Sequence, residues 1–336
     1  MKPWNFVFTG DIHLSSPRSY RYRPHGNENW DTACGQMIKL NPDLLLNCGD
    51  LGFEGWIHSD ELVRVKANLD ALPFPCHVVA GNICVGNKTA RYNSDDAAEN
   101  KNIDDIGHNV SSRLLAQFES NFGPYNWSFV HKDVRFTGFC EMLVGSQLPE
   151  EEQLWKWLED LKKEPPARFH VCVMHYPLFN ETLDEPTYDN RKVENDAGDG
   201  WYDVEYQRWY DNIDNPGRQR IFEALKELNV NIVFSGHVHH NRVRYADGIR
   251  FETCTGTAFK KGCPPDCNSE YGFVNCVVTE SGIETTFIPL EKESNAESRG
   301  PGGHEPPRDY TLAEKPSYGD EFPELWTLHP GNRESK

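Results

Sequence analysis

The chain has no apolar run approaching the roughly 20 residues that a bilayer-crossing helix needs, so a membrane span is not expected. Basic residues are in deficit, with 34 Lys+Arg against 52 Asp+Glu and a net charge of −18 over 336 residues. A field of that sign disfavours long nucleic acid and an anionic membrane surface as partners. Met1 to Gly10 lack the charged head, apolar stretch and small-residue cleavage site of an export signal, and read instead as a strand that starts the fold. The expected compartment is therefore the cytoplasm. No internal repeat is visible. The ten cysteines are scattered, so reduced thiols are expected rather than a disulfide framework. Cys48, Cys172 and Cys276 fall in strand-like apolar runs, as small core residues do. Only Cys263 and Cys267 are close neighbours, and no second ligand pair beside them completes a zinc site.

What the chain does have is a series of apolar runs that each end in a polar cluster. Trp4 to Gly10 leads into GDIH, Leu44 to Cys48 into GD, Cys76 to Ala80 into GN, Val171 to Met174 into His175, and Val230 to Phe234 into SGHVHH. Helical stretches lie between them, at Ser59 to Leu72, Glu150 to Lys163 and Gly217 to Leu228. This is the pattern of βα repeats in an α/β fold, whose strand ends gather at one edge where ligands bind. Hairpin patterns at Trp127 to His131 with Val134 to Cys140, and from Arg242 to Ile288, predict that a second half of the sheet is antiparallel.

Two stretches do not read as core. Asn180 to Pro216 is rich in acidic residues interleaved with Tyr188, Trp201, Tyr202, Tyr206, Trp209 and Tyr210, which argues for a folded insertion or lid rather than disorder. Either Trp201, Tyr202 or Trp209 stacks on a sugar or nucleobase as the segment closes over the site, or the aromatics form a satellite core of their own. Residues 291–336, rich in Pro, Gly and charge, read as an extended tail following a domain over 1–290.

Singly, a Gly-Asp, a Gly-Asn or a His at a strand end is an ordinary turn or hydrogen-bonding residue. Together they are a donor set. Asp11 and His13 leave the same face of an extended chain, Asp50 and Asn82 end the next two strands, His175 ends a fourth, and His237 with His239 repeat the two-residue spacing after a fifth. Four imidazoles, two carboxylates and an amide suffice for two ions sharing a carboxylate. Mixed N/O ligation without thiolate favours Mn²⁺, Fe or Zn²⁺, as two divalent or mixed-valence ions, over Mg²⁺ or Ca²⁺. Two such ions can ionise a bridging water near neutral pH and clamp an anionic tetrahedral transition state, as phosphoester hydrolysis requires.

GDIH, GD, GN, His175 in MHYP, and GHVH, in this order, resemble the calcineurin-like metallophosphoesterases over roughly Trp4 to Leu290. The runs VVAGNICVGNKTARYNS, FESNFGPYNWSF, MHYPLFNE and VFSGHVHHNRV are similar to the subgroup of calcineurin-like phosphoesterase-domain proteins related to the complete-S-transactivated phosphatase. The resemblance implies a four-layer αββα sandwich with mixed sheets. It also implies that Asp11, His13 and His239 hold one metal, that Asn82, His175 and His237 hold the other, and that Asp50 bridges them. The implied substrates are a small phosphorylated molecule, whether a phosphomonoester or a nucleotide, or a phosphoprotein.

The third motif departs from the family. It normally reads GNH followed by an acidic residue, the His acting as proton donor, whereas this chain has Gly81, Asn82, Ile83 and Cys84. Isoleucine donates no proton. Leaving groups that need protonation should suffer most, since general acid catalysis typically contributes 10²–10⁴-fold. A substitute donor or phosphate ligand could come from Arg18, Arg21, Arg23 or His25 just after His13, guanidinium being suited to phosphate oxygens. The same residues could equally form a solvated basic turn. His77 and His108 are further candidates, each also explicable as structural. The alternatives to a hydrolase of phosphoesters are a degenerate member that binds phosphate or a nucleotide without turnover, and a hydrolase of another tetrahedral ester.

Overall fold

The computed structural model describes residues 2–15, 23–53, 55, 59–89, 109–190, 204–260 and 265–296. Two mixed sheets face each other, with helices on their outer sides, a four-layer αββα sandwich. Strands β1 (Trp4–Thr9), β2 (Leu45–Asn47), β3 (Cys76–Val78), β10 (Gly272–Val278) and β11 (Ile283–Pro289) form the first sheet in the order β11-β10-β1-β2-β3. Strands β4 (Trp127–His131), β5 (Val134–Gly138), β6 (Phe169–Val173), β7 (Ile232–Ser235), β8 (Arg242–Ala246) and β9 (Ile249–Thr253) form the second, in the order β4-β5-β6-β7-β9-β8. The helices are α1 (Pro24–Leu40), α2 (Ser59–Asp70), α3 (Asn82–Val85), α4 (Ser112–Phe122), α5 (Pro149–Leu161), α6 (Val204–Tyr210) and α7 (Gly217–Glu227).

Period-2 alternation along β1 explains the layering. Trp4, Phe6 and Phe8 point into the space between the sheets, where they meet Leu46, Phe136, Val171, Val173, Phe234 and Cys276. Phe8 stacks on Phe234 at 4.3 Å between ring centroids and joins the two sheets directly. Val7 and Leu45 face the other way, into a cluster with Trp30, Ala33 and Met37 of α1 and Leu62, Val65 and Leu69 of α2. Cys172 and Val233 of the second sheet join Leu154 and Leu158 of α5 and Phe222 and Leu225 of α7. Cys48, Cys172 and Cys276 are buried in this apolar interior.

The antiparallel strands are arranged differently from the sequence expectation. They do not form one half-sheet but three edge pairs: β4–β5 and β8–β9 at the margins of the second sheet, and β10–β11 in the first, where β10 also runs antiparallel to β1. The central pairings β1–β2, β2–β3, β5–β6, β6–β7 and β7–β9 are parallel. The βα strands are therefore split between two sheets. Helix α1 was not anticipated either: its apolar stripe, Trp30, Ala33 and Met37, is flanked by buried polar Asn29 and Gln36, which bond the carbonyls of Thr257 and Pro289. The start of the C-terminal segment lies on this helix, with Glu291 N–H donating to Gln36 and Ser294 N–H to Asn29. Tail residues 297–336 lie outside the described residues.

Candidate metal centre

The ends of β1, β2, β3, β6 and β7 meet at one edge of the sandwich. Ladder-like bonds continue past the strands and hold the connecting loops: Asp11 N–H to the Gly49 carbonyl at 3.1 Å, His13 N–H to Asp50 at 3.0 Å, and Gly236 N–H to His175 at 2.9 Å. Asp11, His13, Asp50, His237 and His239 all have positive φ, between 41° and 66°. Left-handed backbone costs an L-residue about 1–2 kcal/mol, and such strain gathers where function needs a fixed side-chain direction. Gly236 has to be glycine for a packing reason, since a Cβ there would sit 2.0 Å from Asp11 Oδ2.

One ligand atom each of Asp11, His13 and His239 lie within 4.8 Å of one another, and so do those of Asp50, His175 and His237. Asp50 stands between the groups, its Oδ2 being 3.6 Å from His13 Nε2 and 3.4 Å from His175 Nε2. Its other oxygen accepts the Ile83 N–H at 2.9 Å. Asp11 accepts the His237 N–H at 3.0–3.1 Å and lies 3.6 Å from His239 Nε2. Except for partly buried His239, these six side chains and Asn82 are buried.

Hydrogen-bond partners fix which ring nitrogens carry protons. A backbone carbonyl only accepts, so His175 donates Nδ1–H to Cys48 O at 2.8 Å and His237 donates Nε2–H to Tyr210 O at 2.8 Å. In neutral rings the remaining nitrogens, His175 Nε2 and His237 Nδ1, present lone pairs. Both face Asn82 Oδ1, at 2.8 and 3.0 Å. Asn82 is held in that orientation by its own amide, which donates to Asn87 Oδ1 at 2.9 Å and to the Tyr210 hydroxyl at 3.1 Å. Three neutral acceptors and the Asp50 carboxylate thus converge on one point. That convergence is repulsive unless a cation or an added proton sits among them, so the donor set fits a divalent ion.

The electrostatics agree. Burial pushes the Asp11 carboxyl up to about 8, with His175 opposing the rise. Burial would also raise Asp50, but His175, His13 and His237 outweigh it and hold Asp50 below the usual carboxylate range. His175 is pulled up to about 9, because Asp50, Asp11 and Glu141 overcome the burial that opposes its charged form. Glu141, fully buried, is pushed up to about 7 by burial, while its Oε1 accepts the backbone N–H groups of His175 (3.0 Å) and Tyr176 (2.6 Å).

The other sequence candidates are placed differently. Arg23 precedes α1 with its guanidinium 4.6 Å from the centre of the Phe259 ring, and Phe259 lies edge-on to His13 at 4.8 Å. His25, in the first turn of α1, donates Nε2–H to the Ala258 carbonyl at 3.1 Å. Both therefore pack against the segment whose Phe259 flanks His13 and His239. Arg18, Arg21, His108, Trp201 and Tyr202 lie outside the described residues, as do Cys263 and residues 191–203 of the 180–216 stretch. His77 is ruled out as a donor at the centre. It packs 4.1 Å from the Phe129 ring on β4, and burial lowers it to about 4. Trp209 is 1 % exposed and packs with Tyr206, so it offers no face to a ligand. Cys84 is fully buried in the apolar core.

The sequence reading did not find Tyr210, Asn87, Lys88 or Glu141. Tyr210 acts partly through its main-chain carbonyl, which no side-chain pattern reveals. Glu141 follows β5 without a motif, its one signal being a carboxylate beside an apolar run.

Comparison with known proteins supports the assignment of family. No curated protein sequence matches the chain. Among solved structures, purple acid phosphatase PPD1 from yellow lupin (Lupinus luteus) seeds superposes with a TM-score of 0.56 at 14% identity over 87% of this chain, which spans only 52% of that protein. GAP50, the anchor in the inner membrane complex of Plasmodium, superposes with a TM-score of 0.50 at 14% identity over 99% of this chain and 97% of that one. At these identities the likeness concerns the fold. The family profile described as calcineurin-like phosphoesterase matches residues 5–241, and this chain belongs to that family.

Proposed function

We propose that the chain is a metal-dependent phosphoester hydrolase built on residues 1–290, within the subgroup related to the complete-S-transactivated phosphatase. The observation that carries this reading is the convergence of Asn82 Oδ1, His175 Nε2 and His237 Nδ1 beside Asp50, acceptors that need a cation among them. In this reading Asp11, His13 and His239 hold one ion, Asn82, His175 and His237 hold the other, and Asp50 serves both. Two bound Mn²⁺, Fe or Zn²⁺ ions supply Lewis acidity and a water nucleophile at neutral pH. The chain's own part is to aim the ligands. Cys48 and Tyr210 carbonyls set the imidazole tautomers, and the Ile83 N–H orients the bridging carboxylate. Because Ile83 provides no proton donor, the preferred substrates are small phosphorylated molecules whose leaving groups depart unprotonated, such as aryl or phosphoryl groups. The test is hydrolysis of p-nitrophenyl phosphate by chelated protein reloaded with each ion in turn. Turnover restored by at least one ion is expected, and none with any ion contradicts the proposal.

A second reading, binding of phosphate or a nucleotide without turnover, is favoured by Ile83 alone. It is separated by the same assay, since a binder would show phosphate affinity with no hydrolysis.

A further inference from the structure

We propose that Tyr210 is a positioning residue for the cation at Asn82, His175 and His237, and that Lys88 locks it there, so that the acidic aromatic segment after His175 sets the affinity of that site. The inference rests on the metal-centre reading above. Tyr210 touches both flexible ligands of the site from behind. Its carbonyl takes the Nε2–H of His237 at 2.8 Å, which turns Nδ1 inward. Its hydroxyl accepts one amide hydrogen of Asn82 at 3.1 Å, while Asn87 accepts the other, which turns Oδ1 inward. The phenol ring lies 4.7 Å from the His237 ring and packs on Tyr206.

The placement follows from how α6 ends. Tyr210 is its last residue, and the final carbonyls of a helix lack partners within it and form the negative end of its dipole. The Tyr210 carbonyl is taken by His237, and that of Trp209 by the Lys88 ammonium, which also bonds the Asn212 carbonyl at 2.5 Å and pairs with Asp214 at 3.3 Å. Lys88 is 3 % exposed and lies 4.6 Å from the Trp209 ring centre. It lies just beyond α3, the short helix that Asn82 begins. The end of α6 is thus bolted to the third-motif loop at two points and to the loop after β7 at a third. Residues 204–210 form part of the wall of the centre.

The test uses the full chain, chelated and titrated with Mn²⁺ in a calorimeter, together with melting curves of the metal-free proteins. Tyr210→Phe removes the hydroxyl and keeps the carbonyl. Outer partners of metal ligands typically contribute 10–100-fold in affinity, so one of the two binding steps should weaken by roughly 10-fold. The other step and the metal-free melting temperature should stay as in the wild type. Lys88→Met, which touches no ligand, should weaken the same step. Both variants binding two ions with wild-type affinities would overturn the proposal, and so would equal weakening of both steps with a lowered metal-free melting temperature. A wild-type chain that binds fewer than two ions overturns the metal-centre reading itself.

Discussion

Removing divalent ions and raising the pH together should destabilise this protein far more than either change alone. In the metal-free chain the converging acceptors are relieved only by protons. His175 holds its proton up to about 9, against 6.5 when unfolded, and Asp11 up to about 8, against 3.8. For both groups the folded state binds more protons than the unfolded state between pH 6.5 and 8. Stability therefore falls as pH rises through that window, at about 1.4 kcal/mol per pH unit for each group. Taking the two as coupled rather than additive, the loss between pH 6.5 and 9 is about 3–5 kcal/mol, which at 2–4 °C per kcal/mol corresponds to roughly 10 °C in melting temperature. Bound ions displace those protons and should flatten the slope, so that thermal stabilisation by Mn²⁺ or Zn²⁺ grows with pH. Differential scanning calorimetry at half-unit steps, with chelator and with saturating ion, measures both curves. Parallel curves with and without ions would show that protons and cations do not compete for these side chains.

Two substitutions probe the centre from other sides. Gly236→Ala places a methyl group 2.0 Å from Asp11 Oδ2 and 2.7 Å from Cys48 Sγ, and forces the carboxylate off the His237 N–H. Metal analysis should show loss of one ion and denaturant titration a destabilisation of about 1–3 kcal/mol, with an intact ion count refuting the assigned ligand. Ile83→His supplies the proton donor that the family resemblance leads one to expect at this position, and should raise turnover of alkyl phosphates by about 10²-fold or more while moving aryl phosphates far less. Equal effects on the two substrate classes would show that the missing donor is not what limits the wild type. Pairing it with Cys84→Asp is unsuitable, because a carboxylate at that fully buried position would lie in the apolar core.

The strand ends were legible because apolar runs that stop at Gly-Asp, Gly-Asn and Gly-His carry both a fold signal and a chemical one. The split of those strands into two sheets was legible only through the family resemblance, which implied the αββα sandwich, and not from the apolar runs themselves. Both arrangements bury the same alternating residues, and the decision is made by β10 pairing with β1, far away in sequence. Helix α1 was hidden by Asn29 and Gln36, polar residues that are buried because they satisfy loop carbonyls. The donor set was visible as residue types, while its supports were not. Tyr210 looks like any aromatic in an acidic stretch, and Lys88 like any surface lysine, until the end of α6 brings its last carbonyls to His237 and Lys88.

Counting bound ions decides whether these side chains hold two cations around Asp50. Chelated wild type and Asp50→Asn should be reloaded with Mn²⁺, freed of excess ion, and assayed for metal content and p-nitrophenyl phosphate hydrolysis. Two ions per wild-type chain are expected, with fewer ions and lost hydrolysis in Asp50→Asn. Fewer than two ions in the wild type, or full activity in Asp50→Asn, would contradict two-cation binding around Asp50.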